Sequence, residues 1–318
     1  MQRCKGLRVL SKEGLLALFL GYAAAASTLM AAQGRIANAP IEARAFTGTL
    51  EREVQAVAAR GDAAWIGYRT PMIPGTRHIC CSASSPAGIG NAAADVCCGM
   101  CRLESGGGVT MTAGDTFDPR ASRVVIEPPS DLVILARVEN GGVTRVRTFT
   151  PDCDLDGGGM PLVWLENVPA ADSVAWLTAL AGSGGSGDRE RENRVVRPAL
   201  GALALIPGRP ALRTLIALAR DDPRTGVRNQ ALFWLSQRAG DEAAAAIRGA
   251  VDNDPEIEVK KRAVFALSQL PKDEGIPLLI HLARTHRNVE VRKQAMFWLG
   301  QSRDPRAVSF FEDILRAK

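Results

Sequence analysis

The chain has 318 residues, of which 46% are hydrophobic and 23% charged, with a formal net charge of +5. That length has room for two domains of ordinary size, and the apolar fraction excludes the disordered and fibrous classes. The charge is unevenly placed: residues 188–318 hold 23 Lys and Arg against 17 Asp and Glu, so a basic C-terminal part follows a nearly neutral remainder.

Residues 1–13 are basic and residues 14–34 carry no charge, the pattern of the n-region and h-region of a secretory signal. The mature protein is therefore expected outside the cytoplasm, in the periplasm or cell envelope. Cleavage is expected near Ala26, Ala32 or Gly34, whereas an uncleaved segment 1–34 would be an anchor and the chain's one contact with a membrane. Cys4 lies before the apolar run, the wrong side for a lipoprotein anchor.

Residues 40–181 read as a Cys-rich α+β domain. A helix is expected over Leu50 to Ala59 and a strand over residues 65–70, ending at Pro71. Residues 72–108 are rich in Cys, Gly, Ser and Pro and show no period. Arg123 to Glu127 reads as a strand, and residues 131–149 as two strands joined at Asn140-Gly141, a strong hairpin signal. A further strand over 161–165 and a helix over 172–181 complete the domain. The Gly/Ser run at 182–188 reads as a linker, unless residues 172–181 are the first helix of the C-terminal domain.

From 189 to 318 one pattern recurs. Val195, Val227, Val259 and Val291 are 32 residues apart, each followed by alanine at +4 (Ala199, Ala231, Ala263, Ala295) and leucine at +8 (Leu203, Leu235, Leu267, Leu299). That spacing stacks the three on one side of a helix. A companion apolar set at the same period includes Leu215, Ile247, Leu279 and Phe311, and Pro207, Pro223, Pro255 and Pro271 mark the joints. One helix pair cannot bury its own apolar face, so the pairs must stack into an all-α solenoid.

The stretches 221–237, 254–270 and 288–301 (DDPRTGVRNQALFWLSQ, DPEIEVKKRAVFALSQL, NVEVRKQAMFWLGQ) resemble HEAT repeats of the short, phycobilisome-lyase-like kind found in many bacterial proteins. The resemblance implies that the Val helix is the second helix of each unit and lines the concave surface, with Asp304 to Lys318 a closing helix. It names no function, because this architecture hosts many.

Without the signal six cysteines remain: Cys80, Cys81, Cys97, Cys98, Cys101 and Cys153. An even number in an exported chain points to disulfides, of undetermined pairing. Two sharper readings compete: a redox CxxC at Cys98 and Cys101, and a zinc site from His78, Cys80, Cys98 and Cys101. Export and the glycine-rich surroundings count against both. Asp152, Asp154, Asp156 and Gly157 open like a calcium loop, but Val163 stands where the bidentate glutamate belongs, which favours an acidic turn. Some HEAT-like proteins are iron-dependent hydroxylases that use His-Glu pairs, and none of the three histidines here precedes a glutamate. No cofactor, metal or catalytic residue is expected.

The reading is a non-catalytic module that binds another protein, with no nucleic acid involved; the alternative is an enzyme with a redox or metal site within residues 76–160. At about 100° per residue Val227, Ala231, Trp234 and Leu235 share the core-facing arc of their helix. Phe233, Phe265 and Phe297 project oppositely, with Gln237, Gln269 and Gln301 one turn on and basic Lys261 and Lys293 beside them. Two readings of this ladder stay open, packing between repeats and an exposed binding stripe. Gly201 interrupts it in the first repeat.

Overall fold

The computed structural model describes residues 35–74, 79, 101–104, 129–184, 187–238 and 240–316. The signal-like segment, the strand expected at 123–127, His78 and Cys80, Cys81, Cys97 and Cys98 lie outside the described residues.

The N-terminal part is β1 (Arg35–Ala37), β2 (Ile41–Ala45), α1 (Leu50–Ala58), β3 (Ala64–Pro71), β4 (Cys101–Arg102), β5 (Asp131–Glu139), β6 (Gly142–Phe149), β7 (Asp154–Asp156) and β8 (Leu162–Glu166). Thr49 caps α1 through its side chain, which accepts from the Arg52 N–H at 3.3 Å. Asn140 and Gly141, both at positive φ, turn the expected hairpin between β5 and β6.

Five strands form one mixed sheet in the order β2-β8-β3-β5-β6, and β1, β7 and β4 form a small parallel sheet. β3, β5 and β8 are buried on both faces. Ile66, Tyr68, Leu132, Ile134, Ala136, Val163 and Leu165 face the helices, while Trp65, Val133, Leu135, Leu162 and Trp164 alternate onto a second core with Leu103, Phe149 and Leu155. Gly67 sits on that second face because a Cβ there would lie 2.5 Å from Leu135 and 3.0 Å from Trp164.

The helical array comes next: α2 (Ala170–Gly182), α3 (Arg189–Arg191) running through a π turn (Glu192–Val196) into α4 (Arg197–Leu205), then α5 (Arg209–Asp221), α6 (Thr225–Ser236), α7 (Asp241–Asn253), α8 (Ile257–Ser268), α9 (Lys272–Thr285), α10 (Val289–Gln301) and α11 (Pro305–Arg316). The Arg197 N–H reaches back five residues to the Glu192 carbonyl in the π turn. Pro198, next in line, has no N–H to continue the ordinary ladder.

All twelve residues of the Val, Ala and Leu rows are at most 1% exposed. In the companion helices Leu215, Ile247 and Leu279 are fully buried, but in α11 the buried ring is Phe310, and Phe311 only packs partly against the core.

The helix left open between sheet and array, α2, packs on α4 and α5 and takes the place of the first companion helix. It also touches β3, and Tyr68 Oη lies 3.0 Å from Ser173 Oγ on it. Side chains hold the start of the Gly/Ser run: Arg191 donates to Ser183 Oγ and the Val143 carbonyl, and Arg224 donates to the carbonyls of Ala181 and Ser183. One apolar core consequently runs from Leu50 to Phe310.

Candidate functional site

The Val helices α6, α8 and α10 pack tightly on one another, while the companion helices α7 and α9 stand far enough apart to leave a groove of about 620 Å³. The outward faces of α6, α8 and α10 form the surface that the resemblance to HEAT repeats implies is concave.

Each of those faces follows the i, i+3, i+4, i+7 spacing of a helical stripe. On α8 it is Glu258, Lys261, Arg262, Phe265 and, just beyond the helix, Gln269; on α10 it is Glu290, Lys293, Gln294, Phe297 and Gln301. Phe233 and Phe265 are half-buried and Phe297 is 53% exposed. The three phenylalanines thus neither vanish into the core nor stand free; they are graded toward the C-terminal end.

What joins them was not legible from the phenylalanines alone. The Arg262 guanidinium lies 5.6 Å from the Phe233 ring centre and 4.8 Å from that of Phe265, bridging two repeats as a cation over two rings. Partial burial there lowers the Arg262 pKa, so the charge is held against a desolvation penalty. Phe265 then meets Trp298 at 4.9 Å, and Trp298 meets Phe297 edge-on at 5.0 Å. A continuous row results: Phe233, Arg262, Phe265, Trp298, Phe297.

Gly201 has a physical reason as well. Trp234, half-buried instead of lying wholly in the core arc, covers it, and a Cβ on Gly201 would come within 3.1 Å of the indole. Trp298 does the same two periods on over Phe265, so each tryptophan roofs the ladder position of the preceding repeat. The signal missed in the sequence was this second row, positions 202, 234, 266 and 298, which reads Ala, Trp, Ala, Trp.

The lysines beside the ladder have acidic neighbours on their own helices. Lys261 pairs with Glu258 and Lys293 with Glu290, each at 3.0 Å one turn away, and the Lys293 ammonium lowers the Glu290 pKa. Beside these exposed pairs runs the row of rings and amides, with Arg262 as the cation between two of the rings. The amides are positioned by neighbouring serines: Gln237 donates to Ser236 Oγ and Gln269 to Ser268 Oγ, while each serine hydroxyl donates back to the carbonyl of Phe233 or Phe265 at 2.7 Å. Gln301 is exposed beyond the last ring.

Elsewhere the acidic run begins in a turn at Asp152, and its second half, Asp154–Asp156, is β7, which pairs with both β1 and β4. Asp156 Oδ1 accepts from Asn38 Nδ2 and from the Gly158 N–H. Cys153 is buried with Sγ 3.0 Å from the Ile79 carbonyl oxygen, and of Cys101 only the backbone is described. His281 is exposed beside Thr285. Among the described residues no three His, Cys, Asp or Glu side chains converge as a metal site, and no helix is long and apolar enough to cross a membrane.

A search of curated proteins found no match to this chain. A family model of HEAT repeats matches residues 244–318, from within α7 to the C-terminus. The buried Val, Ala and Leu rows carry the same 32-residue period back to Val195, so the helical array as a whole is a HEAT-like solenoid.

Proposed function

We propose that the protein is a non-catalytic binding module, exported to the cell envelope, whose concave row from Phe233 to Phe297 recognises another protein. The observation that carries this reading is the half-exposed end of an otherwise packed aromatic row: Phe297 is 53% exposed although the rings leading to it are ordered by Arg262 and Trp298. Rigid aromatic side chains with an arginine among them are the composition of interface hot spots. HEAT repeats commonly serve as interaction scaffolds, which supports the same reading. Export rests on the sequence of residues 1–34 alone.

The test compares Phe297→Ala with the native chain in thermal melting and in capture of envelope proteins. The variant is expected to melt as the native chain does and to lose a specific captured protein. Unchanged capture by the well-folded variant would overturn the assignment of the row.

A further inference from the structure

Apolar side chains reach solvent most fully on α11. Among the described residues six large hydrophobic side chains are exposed, and three of them, Val308 at 57%, Ile314 at 42% and Leu315 at 71%, belong to this one helix of 12 residues. At about 100° per residue Ile314, the half-buried Phe311, Leu315 and Val308 follow one another around a single arc. Along it Val308, Phe311 and Leu315 have the i, i+3, i+7 spacing of a helical stripe.

The preceding units use the same arc for packing. One period earlier the equivalent positions of α9 are Ile276, Leu279, Leu282 and Ala283, and all four are buried. Ala219, Val251 and Ala283 make one row of buried side chains through α5, α7 and α9, and Leu315 is its next member. Each of those companion helices packs on the Val helix that follows it, α5 on α6, α7 on α8 and α9 on α10. α11 packs on α9 and α10 with Ala307 and Phe310 buried, and its own arc stays open.

We propose that this stripe is the contact surface for a second copy of the chain. About a two-fold axis, Val308, Phe311 and Leu315 of one copy interlock with the same three of the other, as the apolar seams of paired helices do. Charge selects the same occupant. The exposed border of the stripe is Glu312 and Arg316, paired one turn apart at 3.6 Å, so it carries no net charge within an array that is basic as a whole. Such a border neither draws an acidic partner nor repels an identical copy. Two helices of 12 residues bury less than the roughly 800 Å² per partner of a standard interface, so a dimer of micromolar strength is expected. The surface is separate from the row ending at Phe297, which lies on α10.

Sedimentation equilibrium of the full chain tests it, over concentrations from about 1 to about 300 µM. The native chain is expected to pass reversibly from monomer to dimer within that range. Leu315→Glu and Val308→Glu each place a charge on the stripe at an exposed position, so both variants are expected to melt as the native chain does and each to weaken the dimer by about ten-fold or more. Phe297→Ala is expected to dimerise as the native chain does, which separates this contact from capture by the aromatic row. A native chain that stays monomeric throughout, a dimer of native strength in both well-folded stripe variants, or a dimer lost in Phe297→Ala would each overturn the proposal.

Discussion

Arg228 on α6 forks onto Asp254 at the start of the next repeat, with Nε to Oδ2 at 2.8 Å and Nη2 to Oδ1 at 3.1 Å, and both side chains are buried. Arg228 also donates to the carbonyls of Asp222 and Pro223, and Asp254 accepts from the Glu256 N–H, so each charge is saturated. The pair is one rung of a recurring device. Asp222, Asp254 and His286 are 32 residues apart, and each accepts from a backbone N–H two residues on. Arg228, Lys260 and Arg292, at the same period, each donate to the carbonyls that end the preceding companion helix or the turn after it.

Breaking one partner of this pair strands a buried charge, so Asp254→Ala is expected to destabilise the array by about 3–5 kcal/mol. Replacing both, Arg228→Met with Asp254→Leu, is expected to recover most of that loss. Chemical denaturation of the single and double variants checks it, and additive losses in the double variant would contradict the account.

Tyr68 on β3 and Ser173 on α2 tie the sheet to the array. Burial pushes the Tyr68 phenol well above its ordinary range. Below about pH 10 the phenol is neutral in both folded and unfolded chains, so the native state keeps its full stability. Above that the unfolded chain ionises first, and stability falls by up to about 1.4 kcal/mol per pH unit. The difference in phenolate absorbance between the native chain and Tyr68→Phe should therefore rise only as helical ellipticity is lost. A phenolate titrating near its ordinary pKa with the fold intact would contradict the burial.

The position of α2 predicts how the chain can be cut. Residues 189–318 lack the helix that covers α4 and α5, and are expected to melt at lower temperature and less cooperatively than residues 168–318. Calorimetry on the two fragments measures this; equal melting would show α2 to be dispensable to the array.

The array was legible because its apolar period survives in every unit: Val195, Val227, Val259 and Val291 are buried where the spacing put them. The hairpin at Asn140-Gly141 was equally plain, since turn chemistry is local. β2 was missed because its five residues lie at the sheet edge and none is buried, so no apolar alternation marks it. β7 was missed because three residues of an acidic run carry no pattern at all, and only pairing with β1 and β4 makes them a strand. At the site, the phenylalanines could be placed on one face from helical angles. The stacking through Arg262 and Trp298 could not, because it depends on contact between repeats.

The central claim is that the end of the aromatic row faces a protein partner. The most direct measurement places a photo-crosslinking benzophenone amino acid at position 297 of the full chain in its native cells, with the exposed Asp241 on α7 as control. The account predicts one discrete protein adduct from position 297 that is absent from position 241 and lost when Phe265→Ala disturbs the row. No adduct at 297, or the same adducts from both positions, would contradict it.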